Sequence, residues 1–90
     1  MAAKSEEQQA RAVVFRELDL KVRQRTQVIN ALRIHLAEYG LVVAKGPSHV
    51  AMLVELVQAP ETRLSATARL ALDRLIAILR MVSEQIKQLD

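Results

Sequence analysis

Ninety residues with a net charge of +3, no cysteine, and 51% hydrophobic but only 2% aromatic residues describe one small unit whose core is Leu, Val, Ile and Ala. A chain this short builds at most one core, and a charge this small does not by itself point to a polyanion. The missing thiols exclude a disulfide framework and a thiolate metal site and fit a reducing compartment. The polar, acidic start MAAKSEEQQ is unlike a signal peptide, and no apolar run approaches the roughly 20 residues a bilayer needs. The chain is therefore expected to be soluble and cytoplasmic, with no membrane partner.

The first helix is expected over about 5–39. Ser5 with Gln8 three residues on is a capping-box signature, and Glu6 and Glu7 suit the positive end of the helix dipole. Gly40 is the first residue able to end it in a left-handed turn. Phe15, Leu18, Val22, Ile29, Leu32, Leu36 and Tyr39 fall at alternating steps of three and four, with Arg25 at the one remaining seam position. That is a heptad pattern, the signature of a coiled-coil seam. Glu17 with Lys21 and Asp19 with Arg23 are i,i+4 pairs in the favourable order.

Leu41 to Lys45 is a short apolar connection. Pro47 suits a first helical turn, and Val50, Leu53, Val54 and Val57 share one side of a short helix over about 48–58, stopped by Ala59-Pro60. A turn over Glu61 to Leu64 leads to a helix over about 65–89, in which Ala68, Leu72, Leu75, Leu79, Val82, Ile86 and Leu89 again step by four and three. The fold class is thus all-α: residues 1–90 form one module in which a long, a short and a long helix make an antiparallel coiled-coil hairpin. Val22, Ile29, Leu32 and Leu36 are expected to face Leu72, Leu75, Leu79 and Val82, with Arg25 and Ile86 completing the seam. Val13, Val14, Val28, Ile34, Ile76, Ile78 and Met81 lie off that seam. Two helices cannot hide them all, so a homodimer packing into a helical bundle is expected.

Nothing in the residues composes a catalytic site. His35 and His49 belong to no HExxH-like arrangement, the acids form no metal set, and with only Gly40 and Gly46 there is no phosphate loop. The chain is expected not to be an enzyme by itself and to hold no cofactor or metal. Charge is distributed unevenly: between Arg11 and Ala37 six Lys and Arg stand against two acids, an excess of four. Arg16, Arg23, Gln27 and Asn30 share a polar face that could follow phosphates, and the competing reading is a solvated charge stripe. Arg25, on the seam, either pairs with an acid of another helix or extends its head to the edge. A helix-turn-helix built from the last two helices is disfavoured, because after Ser65-Ala66-Thr67-Ala68 the last helix turns leucine-rich.

The segment Lys4 to Gly46, through KSEEQQA (Lys4–Ala10), VRQRTQ (Val22–Gln27), INALR (Ile29–Arg33) and HLAEYG (His35–Gly40), resembles the middle of transposases of the "one-ten" insertion-sequence family, DEDD transposases related to the Piv invertase. The resemblance covers nearly half the chain. It implies a dimerisation and connector module, a fragment lying between a RuvC-like domain with a divalent-metal site and a domain with a serine nucleophile. Both catalytic sets would fall outside this chain. It also implies DNA and a bridge RNA as partners, with Arg16, Arg23 and Arg33 as candidate contacts. The alternative is a stand-alone helical interaction module with no nucleic-acid role. Positions 17, 18 and 21, where the family usually carries Thr, Arg and Leu, read Glu17, Leu18 and Lys21; Ile34 replaces a common Gly, and Ser65 stands where Pro is frequent.

Overall fold

The computed structural model describes residues 5–43, 50–60 and 62–90. They form three helices, α1 (Glu6–Glu38), α2 (Val50–Gln58) and α3 (Ala66–Leu89), with no strand among the described residues. The chain is all-α, as its periodicity predicts. Pro47, Ser48 and His49, the expected start of the short helix, lie outside the described residues, as do Lys4, Lys45 and Glu61. Among the described residues no helix is long and apolar enough to cross a membrane.

Local chemistry sets the helix ends. The Ser5 hydroxyl accepts from the Gln8 backbone N–H at 3.1 Å, while the Gln8 side chain accepts from the Ser5 N–H at 3.0 Å. This reciprocal box satisfies two donors that the first turn leaves without partners. At the other end Gly40 adopts φ +79°. Its N–H donates to the Ala37 carbonyl at 2.9 Å, and the Leu41 N–H donates to the Leu36 carbonyl at 3.0 Å. Those two bonds are a Schellman motif, and Leu41 folds back onto the cluster containing Leu36, which supplies its customary apolar contact. Ser65 caps α3 through the Ala68 N–H at 3.1 Å.

The C-terminal end of α1 lies beside the N-terminal end of α3, so the long helices run antiparallel, and α2 packs over the same end. The core sits there. Leu32 and Leu36 from α1, Val43 from the connection, Leu53 and Val57 from α2, and Leu72, Ile76 and Leu79 from α3 form one buried cluster. Burying each of the larger side chains contributes about 1.5–3 kcal/mol.

The seam departs from its sequence reading in several places. Ile76, placed off the seam, is buried, because α2 covers that flank of α3; Leu75, placed on it, is only half-buried. Ile29 and Ile86 are half-buried, and Val22 is exposed. Half-buried Arg25 sits between Val22 and Ile29, and a guanidinium cannot be closed over by apolar neighbours. Phe15 is 72% exposed. With 33 residues in α1 and 24 in α3, the first turns of α1 have no α3 to face. Tyr39 is exposed because Ala68 and Ala71 opposite it are too small to cover a ring.

Candidate interaction surface

Packing that concentrates the core at one end leaves the rest of the hairpin with open apolar faces. Along the first half of α1, Val13, Val14, Phe15, Leu20 and Val22 are all exposed. Glu7, Ala10, Arg11, Val14, Phe15 and Leu18 line a shallow groove on this helix alone. Ile34 is exposed on the outer side of the same helix. On α3, Leu70, Ile78 and Met81 are exposed, while Val82 on the neighbouring face is buried. Of the off-seam residues named from sequence, Val13, Val14, Ile34, Ile78 and Met81 lie at the surface; Val28 and Ile76 join the core or its margin.

The basic face is largely occupied. Arg23 meets the Asp19 carboxylate at 2.9 Å, and Lys21 meets Glu17 at 3.7 Å. Arg33 is half-buried and points its Nε at the Val43 carbonyl, 3.4 Å away, where it steadies the chain leaving α1. Of the three arginines proposed as nucleic-acid contacts, only Arg16 is exposed with no ion pair or hydrogen bond among the described residues. Arg25 also has no ion pair among them.

One basic residue has a role the sequence reading missed. Arg69, in the first turns of α3, donates through one terminal nitrogen to the Val57 carbonyl and through the other to the Thr62 carbonyl at 2.9 Å. Val57 lies in the last turn of α2, a negative dipole end with no basic residue of its own. The guanidinium fork thus ties α2, the turn and α3 together. A cation this close to a helix N-terminus opposes the dipole of its own helix, and that was the available signal.

His35, Glu38 and Tyr39 share a shallow groove with Ala68, Ala71, Leu72 and Leu75. Among the described residues no group of three or more His, Cys, Asp or Glu side chains is placed to hold a metal ion. The surface that stands out among the described residues is apolar and extended. Set against known proteins, the chain matches no family model, no curated protein and no solved structure.

Proposed function

We propose that this chain is an assembly module: a helical hairpin that joins a second copy of itself and thereby fixes the spacing of the domains it connects. The observation that carries the reading is the shape. Its radius of gyration is 17.3 Å, against about 12 Å for a compact domain of this length. Its accessible surface is 6809 Å², whereas a globular monomer of 10.1 kDa exposes about 5,300 Å². The excess of about 1,500 Å² includes large aliphatic side chains, and a standard interface removes about 800 Å² from each partner.

The resemblance of Lys4 to Gly46 supplies the setting. In it, the module is the dimerisation and connector region of a DNA transposase of the one-ten insertion-sequence family, acting between catalytic domains that hold the metal and the nucleophile. Sedimentation of the chain at several concentrations tests the assembly role. A dimer of about twice 10.1 kDa is expected at micromolar concentration; a monomer throughout the range overturns the reading.

A second reading, the same module without nucleic-acid contacts, is favoured by the engagement of Arg23 with Asp19 and of Arg33 with the Val43 carbonyl. Fluorescence anisotropy with labelled duplex DNA and structured RNA separates the two. Binding that falls steeply as salt rises, and weakens in an Arg16→Ala variant, supports backbone contacts. No binding at low salt leaves the protein-only module.

A further inference from the structure

Turned away from the core, α3 carries a second stripe. Ala71, Arg74, Ile78, Met81, Gln85 and Gln88 recur at steps of three and four, about two-fifths of a turn round the helix from Leu72, Ile76 and Leu79. All are exposed except Gln85, which is half-buried. We propose that this stripe pairs antiparallel with the same stripe of a second copy, so that the two α3 helices cross at Ile78 and Met81. The proposal deepens the self-association described above and rests on it.

Register gives the first argument. In an antiparallel pair a residue of one heptad class meets the other class of its partner. Setting Ile78 against the partner's Met81 also sets Met81 against the partner's Ile78, Arg74 against the partner's Gln85, and Ala71 against the partner's Gln88. The two large exposed apolar residues of the stripe then bury each other at the centre, and the small and polar ones fall at the ends.

Charge gives the second. Arg74 and Glu84 are both exposed and form no ion pair among the described residues. Glu84 flanks the layer in which Gln85 meets the partner's Arg74, so the antiparallel register brings unlike charges together twice by symmetry. A parallel pair would stack Arg74 on the partner's Arg74 and Glu84 on the partner's Glu84. A stripe that contains both halves of each contact fits a second copy of itself.

The absence of cysteine makes the test direct. Single Met81→Cys, Gln88→Cys and Val14→Cys chains are treated with a short thiol-to-thiol cross-linker alongside sedimentation of the unmodified protein. In the proposed register two copies of position 81 lie about an interhelical distance apart, 8–10 Å, while two copies of position 88 are offset along the axis by about 25 Å. The expected result is a dimer by sedimentation, cross-linked through Met81→Cys and not through Gln88→Cys. Exchanging one charge, Arg74→Glu, is expected to raise the dissociation constant about tenfold, and adding Glu84→Arg to restore it. Cross-linking at both 81 and 88 would show a parallel pair and overturn the register. A dimer that cross-links through Val14→Cys and not Met81→Cys would move the interface to α1, overturning this proposal while leaving the assembly role intact. A monomer at every concentration overturns both.

Discussion

Arg69 shows how one side chain can tie a junction that apolar contacts alone leave with open carbonyls. Its fork reaches the carbonyls of Val57 and Thr62, joining the end of a nine-residue helix to the turn that follows it. An isolated helix of that length is marginal in water, so α2 depends on Leu53 and Val57 in the core and on this tether. Arg69→Ala is expected to lower unfolding free energy by about 1–3 kcal/mol, since two part-buried carbonyls lose a charged donor. Arg69→Lys should recover little of this, because an ammonium lacks the rigid fork that spans both oxygens. Chemical denaturation measures the difference, and an unchanged midpoint for Arg69→Ala would remove the tether from the account. The role was illegible in sequence because both acceptors come from outside α3; only the misfit of a cation near a helix N-terminus hinted at it.

At the scale of elements, what the sequence made legible was whatever depends on neighbours in the chain. The Ser5–Gln8 box and the Gly40 stop are chemistry within a few residues, and α1 begins and ends at them. Gly40 offers a clean check. A Cβ added there would meet nothing within 4 Å, so Gly40→Ala tests backbone conformation alone. At φ +79° it should cost about 1 kcal/mol, the steric penalty of a left-handed residue, visible as a lower unfolding midpoint with the helical content of the folded state unchanged. A neutral substitution would mean that the cap shifts without strain. Which face of each helix is buried was less legible. A heptad stripe says that a face is apolar, but the third element chooses among adjacent positions, and α2 drew Ile76 inward and left Leu75 half-buried. Likewise the pattern at Phe15 is seam-like in sequence and exposed in the fold, because helix length, not periodicity, decides where the partner helix stops.

For the whole molecule, the consequence of a core at one end is that stability cannot be uniform along α1. Its C-terminal turns bury Leu32 and Leu36 completely. Its N-terminal half relies on the cap and on surface ion pairs, of which only Lys21 is half-buried: Glu7 with Arg11 at 3.4 Å, Glu17 with Lys21 at 3.7 Å and Asp19 with Arg23 at 2.9 Å. Such pairs contribute about 0.3–0.5 kcal/mol each, too little to hold an unpacked helix segment through the opening fluctuations of the chain. Hydrogen exchange at low protein concentration should therefore grade along one continuous helix. The amides of Gln9 to Arg16 are expected to exchange about a hundredfold or more faster than those of Leu32 to Leu36, whose exposure requires the core to open. Raising the concentration separates the candidate faces. If copies meet through α3, protection should grow over Ile78 to Gln88 while Gln9 to Arg16 stay fast; if they meet through the first half of α1, those amides should slow instead. Equal protection along α1 in the monomer would contradict the uneven core on which both readings depend.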